Sequence, residues 1–125
     1  MRILMVSMHD IWGSLDTFSP MKEILLFLGS QDVTVDFISL NKPKFCDKSS
    51  EIYGEPVSFI HKNVNIHRIK ILESNFLRPF YKIGVFRRVL NKLRREKFFP
   101  KRANELGDKI IKNNDVDIVY AYEIY

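Results

Sequence analysis

The chain of 125 residues is 46 % hydrophobic and 28 % charged, which fits one globular domain and excludes disordered, collagen-like or repeat-dominated sequence. No apolar run exceeds the five residues of Ile24–Leu28, whereas a membrane-spanning helix needs about 20, and Ile3–Val6 is too short for the apolar segment of a secretory signal. The net charge is +5, and ten of the twenty basic residues fall between Arg78 and Arg102 with Glu96 alone opposing them.

Arg2–Ser7 reads as a strand whose near-continuous hydrophobicity suggests burial on both faces, as in a parallel sheet. A polar loop, Met8–Ser19, follows. A helix then begins with Ser19 as its cap and Pro20 at its first position, where the missing N–H costs nothing. Met21, Ile24, Leu25 and Leu28 share one face of it, and Gly29 is its stop signal. The second strand is Val33–Leu40, rich in β-branched residues. Strand, helix and strand with short connections make a βαβ unit. Asn41–Pro56 is irregular, and Val57–Ile60 and Val64–Leu72 form two strands around a turn at His61–Asn63.

Pro79 opens a helical region in which Phe86, Val89, Leu90 and Leu93 make an apolar stripe. At about 100° per residue, Arg87, Arg88, Lys92, Arg94 and Arg95 fall on the opposite arc. The stripe is expected to pack on the sheet, and Pro100 to end or kink the helix. Another helix, Lys101–Asn113, and a final strand, Asp117–Tyr122, complete the order β-α-β, hairpin, α-α, β. The prediction is an α/β fold: a three-layer, Rossmann-like parallel sheet with a β-hairpin. A doubly wound sheet normally feeds another crossover helix after such a strand, so residues 1–125 read as one domain, the first part of a longer protein. The alternative is a small domain that finishes on a strand.

The basic block points to a polyanionic partner: nucleic acid, an anionic membrane or a phosphorylated substrate. A solvated helix face is the alternative. The loop after the first strand holds Gly13 alone, not the three glycines of the dinucleotide fingerprint, and no phosphate-cradling Gly-Lys-Ser/Thr loop is present. His9, His61 and His67 lack metal-ligand spacing, and no cofactor is expected. The single cysteine, Cys46, cannot form an internal disulfide, which suits a reducing cytoplasm.

Ligands of open parallel sheets bind beyond the carboxyl ends of the strands. Here those positions are Ser7–Ser14 and Tyr122–Tyr125. They carry His9, Asp10, Ser14 and Glu123, groups able to hydrogen-bond hydroxyls, and Trp12, a flat face for a sugar ring or lipid. The competing reading makes His9 and Asp10 turn residues and Trp12 core.

MRILMVS, the polar loop and MKEILLFLGSQDVTVDFISL resemble the opening of retaining glycosyltransferases of the two-Rossmann-domain GT-B architecture, especially family 4. Asn63–Leu72 is similar to that family's strand before its acceptor-side insertion. Val116–Tyr125 resembles its Asp-hydrophobic-hydrophobic-His-x-His-Asp/Glu strand, with Tyr120 and Tyr122 at the histidine positions. Gly13-Ser14 stands where the family has a glycine pair, and Gly29 lies one place before the family's turn glycine.

The resemblance implies an incomplete, acceptor-side N-terminal domain, with the nucleotide-sugar donor held by an absent C-terminal domain and no catalytic residue in this chain. His9, Asp10, Gly13, Ser14 and Glu123 would contact the acceptor, a lipid-linked or polysaccharide hydroxyl. Arg87, Arg88, Arg94, Arg95, Phe98 and Phe99, with Phe76, Phe80 and Tyr81, would lie against an anionic membrane from the cytoplasmic side. No specific nucleic acid is expected. The runner-up is a non-catalytic Rossmann-like binding or membrane-recruiting module that uses the basic helix to hold a polyanion.

Overall fold

The computed structural model describes residues 1–8, 20–41 and 62–122. Within them, β1 (Arg2–Ser7), β2 (Thr34–Leu40), β3 (Val64–Ile69) and β4 (Ile118–Tyr122) form one sheet in the order β3-β2-β1-β4. All three pairings are parallel. β3 pairs parallel with β2 and ends at Ile69 rather than at Leu72; its expected hairpin partner, Val57–Ile60, lies outside the described residues.

Strand alternation divides the sheet's side chains between two cores. Met5, Val35, Phe37 and Val64 face α1 (Pro20–Ser30), which meets them through the fully buried Leu25. Ile24 was expected on this inner face but is exposed, because it lies about 100° around the helix from Leu25. Gly29 does not stop the helix, which runs one residue further. On the other face Leu4, Val6, Ile38 and Leu40 pack against Phe99, Ala103 and Ile110 of α3 (Phe99–Asn113). Leu4, Met5, Phe37 and Ile38 are each at most 2 % exposed, so the two central strands are buried on both sides. The three layers are thus α1, the sheet and α3, a Rossmann-like α/β arrangement.

Between β3 and α3 the chain makes a 3-10 turn, Arg78–Lys82, then α2 (Gly84–Lys92), then a π-helical stretch, Leu93–Phe98. Pro100 neither ends nor breaks this run. Its ring would crowd the carbonyl four residues back in a regular α-helix. The widened turn upstream, in which the Phe99 N–H donates to the Arg94 carbonyl, absorbs it, and Pro100 stands in the first turn of α3.

The apolar stripe of α2 departs from expectation as well. Phe86 and Val89 are 48 % and 51 % exposed, and no residue of α2 is buried. The sheet face that the stripe was expected to cover is taken by α3. β4, which pairs with β1, leaves Ile118, Val119 and Tyr120 exposed.

Gly107 is buried in α3, and a Cβ placed there would meet Leu4 Cδ2 at 3.6 Å, an ordinary contact. Gly107→Ala should therefore stabilise the fold by about 0.5–1 kcal/mol through helix propensity alone. Urea unfolding measures this, and a loss of stability would mean that α3 and β1 approach more closely than 3.6 Å allows.

Candidate functional site

From β1 the chain passes to β2 and β3 on one side of the sheet, and it then returns across the opposite face to β4 on the other side. The strand order thus reverses between β1 and β4, the place where open α/β sheets hold ligands. Ser7 is paired with Tyr122 in the register, so the carboxyl ends of these two strands stand side by side. The expected acceptor residues His9, Asp10, Gly13, Ser14 and Glu123, together with Trp12, follow those ends in sequence and lie outside the described residues.

The six residues expected at the membrane differ in exposure. Arg88 and Arg95 are exposed, and Arg87 is half-buried with Nη1 donating to the Tyr81 carbonyl at 3.4 Å. Arg94 and Phe99 are corrections: they are 3 % and 0 % exposed and face the interior. Phe98 is half-buried, packs against the α3-side core and carries Lys97 Nζ 5.9 Å from its ring centre. Tyr81, expected among the lipid-facing aromatics, is also buried. The π-helical turn causes the misplacement, since Arg94 enters the interior from within it.

Arg94 organises a buried polar network at the carboxyl ends of β2 and β3. Its Nε donates to the Ile71 carbonyl at 2.9 Å, Nη2 to the Asn41 carbonyl at 2.6 Å and Nη1 to Asn91 Oδ1 at 2.9 Å. Glu73 accepts from Asn41 Nδ2 at 2.7 Å and from the Ile71 N–H at 3.2 Å. Burial raises the Glu73 carboxyl above its ordinary value, with the Asn41 hydrogen bond and the nearby Arg94 charge opposing. Leu72 between them adopts φ 53°, a left-handed conformation costing about 1–2 kcal/mol in a residue with a Cβ. The Tyr81 hydroxyl donates to its carbonyl at 2.7 Å and helps hold it there. None of Asn41, Glu73, Tyr81 or Arg94 stands out as a polar site in the sequence. The available signal is Pro100 inside a helical pattern, which calls for a widened turn just upstream.

A second cluster lies on the α3 face nearer the strands' amino ends. Asp36, 2 % exposed, accepts from Arg2 Nε at 2.8 Å and lies 3.2 Å from both Asn65 Nδ2 and His67 Nε2. Burial alone would raise its carboxyl, but the hydrogen bonds from Arg2, His67 and Asn65 outweigh burial and hold it below the ordinary value. Among the described residues no group of His, Cys, Asp or Glu is placed to hold a metal ion. A shallow groove of about 620 Å³ beside α3 carries both signs of charge, Arg102 and Lys109 with Glu105 and Asp108, and so forms no site for one class of ion.

Removing the Arg94 guanidinium leaves the Asn41 and Ile71 carbonyls without their buried donor, so Arg94→Met should destabilise the fold by about 3 kcal/mol. Arg94→Lys should recover only part of this, because an ammonium cannot span three acceptors as the planar fork does. Urea unfolding of both variants checks it, and equal stability of Arg94→Met and the parent would contradict it.

The buried Asp36 and the half-buried Glu73 act in opposite directions with pH. Asp36, whose folded value is lowered, contributes stability above its unfolded value that is lost as pH falls through the folded one. Glu73, whose folded value is raised, contributes stability below its unfolded value that is lost as pH rises through the folded one. The stability difference between the parent and Asp36→Asn should therefore shrink on acidification below the ordinary carboxylate range. A pH-independent difference would contradict the Arg2–Asp36–His67 assignment.

The chain matches no family model, and comparison with curated proteins and with solved structures finds no similar protein.

Proposed function

We propose that this chain is the acceptor-side part of a retaining glycosyltransferase of GT-B architecture, passing a sugar from a nucleotide-sugar to a hydroxyl acceptor that is lipid-linked or part of a polysaccharide. The structural observation behind this reading is the reversal of strand order between β1 and β4, with Ser7 beside Tyr122. It brings together the strand ends from which His9–Ser14 and Glu123 follow in sequence, the segments that resemble the family's acceptor side. Asp10 and Glu123 would accept hydrogen bonds from acceptor hydroxyls and His9 would donate or accept one.

On this reading the donor and the catalytic groups belong to a second Rossmann domain that these 125 residues do not comprise, and sugar transfer needs both halves in one geometry. The enzyme would work from the cytoplasm at the inner face of a membrane, where lipid-linked acceptors are presented. No described helix is long and apolar enough to cross a membrane.

A second reading is a non-catalytic module that recruits a partner to a membrane. The observation favouring it is α2, whose apolar and basic surfaces are both open to solvent.

The 125-residue chain incubated with a panel of nucleotide-sugars and lipid-linked saccharides should give no transfer. It should nevertheless bind a lipid-linked saccharide in nanodiscs, and Glu123→Gln should weaken that binding about tenfold while leaving unfolding unchanged. Turnover by the chain alone would overturn the assignment of the donor chemistry to another domain. Nanodisc binding indifferent to the saccharide and to Glu123→Gln would favour the recruiting module.

A further inference from the structure

The surface left open by α2 and the turn before it combines two properties that a solvated helix face does not need. Phe76, Phe80, Ile83, Val85, Phe86 and Val89 are all exposed, Phe76 by 79 % and Val85 by 61 %. The three aromatics are contiguous. The Phe76 and Phe80 ring centres lie 6.1 Å apart, and Phe80 meets Phe86 edge-on at 5.6 Å. The aromatics before α2 therefore run directly into its apolar arc.

On α2, at about 100° per residue, Val85, Phe86 and Val89 span an arc of about 100°. Arg88 and Lys92 fill the adjoining arc of about 40° and are exposed, as is Arg95 in the π-helical stretch that follows. Arg78 and Lys82 flank the aromatic turn and are also exposed. No acidic residue occurs from Ser74 to Arg95.

We infer that this surface, Phe76 to Arg95, is a docking face for an anionic lipid bilayer, with the Phe80–Phe86 pair entering the boundary between headgroups and acyl chains and the cations meeting the lipid phosphates. The helix has the required character: a strong amphipathic moment, a basic polar side and low overall hydropathy. Charge complementarity selects the occupant. Duplex DNA would satisfy the cations but gives no use to three solvent-facing phenylalanines. A second copy docked through the same face would bring five cations against five. An anionic bilayer satisfies both halves at once, since each Lys or Arg near the surface is attracted and each apolar side chain leaves water.

The inference deepens the membrane-apposed part of the proposed function and does not depend on sugar transfer. It also relocates the contact. Arg94, Phe98 and Phe99 have interior positions, so the docking face ends before the π-helical turn closes.

The test uses the unmodified chain with vesicles of phosphatidylcholine, with and without phosphatidylglycerol, at physiological salt. Co-sedimentation should appear with phosphatidylglycerol and be absent without it. Arg88→Gln, Lys92→Gln and Arg95→Gln together should abolish it. Phe80→Ser with Phe86→Ser should lower the partition coefficient at least about tenfold, because two apolar side chains no longer leave water. All these positions are exposed, and circular dichroism should show the fold retained. In a Trp12→Phe background, Phe86→Trp should shift its emission to the blue on anionic vesicles. The inference is overturned if the chain ignores anionic vesicles, if it binds duplex DNA instead, if the serine variant binds as well as the parent, if the Phe86→Trp emission stays at its aqueous wavelength, or if light scattering shows a dimer that the serine variant dissolves. Vesicle binding without sugar-acceptor binding would leave the docking face standing and remove the glycosyltransferase reading.

Discussion

Arg94 donates to the carbonyls of Asn41 and Ile71 just past the carboxyl ends of β2 and β3, and so fixes where the helical run meets the sheet. A buried guanidinium must find acceptors for its donors, because an unmet charged donor in the interior costs several kcal/mol. Three are supplied within 3 Å. To bring Arg94 inward the helix widens into a π-turn, and the same widening lets the run continue through Pro100. Beyond that point Phe99, Ala103 and Ile110 reach the sheet. Before it, no residue of α2 is buried, and Val85, Phe86 and Val89 on its apolar side are exposed.

One residue thus connects packing to surface chemistry. If α2 and α3 were one regular α-helix, Arg94 would not share an inner face with Phe99, Ala103 and Ile110. The observed arrangement leaves large apolar side chains in water beside a row of cations. Contiguous exposed apolar surface of this kind marks interaction sites in soluble proteins. Each apolar side chain of this size leaving water contributes about 1.5–3 kcal/mol and each cation near an anionic surface about 1 kcal/mol. Attachment without a membrane-spanning segment is therefore within reach of a few residues.

The strands were legible because buried parallel strands need near-continuous apolar runs, and Arg2–Ser7 and Val33–Leu40 show them plainly. The start of α1 was legible from Pro20, and α3 from its spacing of apolar residues. β3 was recognised as a strand, but its parallel pairing with β2 is a tertiary property that a short apolar segment does not encode, and its expected hairpin partner lies outside the described residues. Periodicity located the apolar stripe Phe86, Val89, Leu90, Leu93 but could not say what would cover it, and α3 proved to hold the place on the sheet. Arg94 read as one cation among many because burial of a charged side chain follows from the acceptors around it, and these come from residues 23 and 53 positions away. The expectation that the carboxyl ends of β1 and β4 lie close together came from topology, and the register places Ser7 beside Tyr122.

The proposed docking puts the apolar half of α2 in water in the free protein and in lipid in the bound one. Site-directed spin labelling addresses it most directly, with a nitroxide attached at Val89→Cys in a Cys46→Ser background and a reference label at Lys112→Cys on α3. In solution the Val89 label should be mobile and open to a water-soluble nickel relaxant. On anionic vesicles it should become accessible to oxygen and lose access to nickel, while the label at position 112 stays aqueous. A Val89 label that is immobile in solution would contradict the outward face of α2, and one that remains open to nickel on vesicles would contradict its burial in the bilayer.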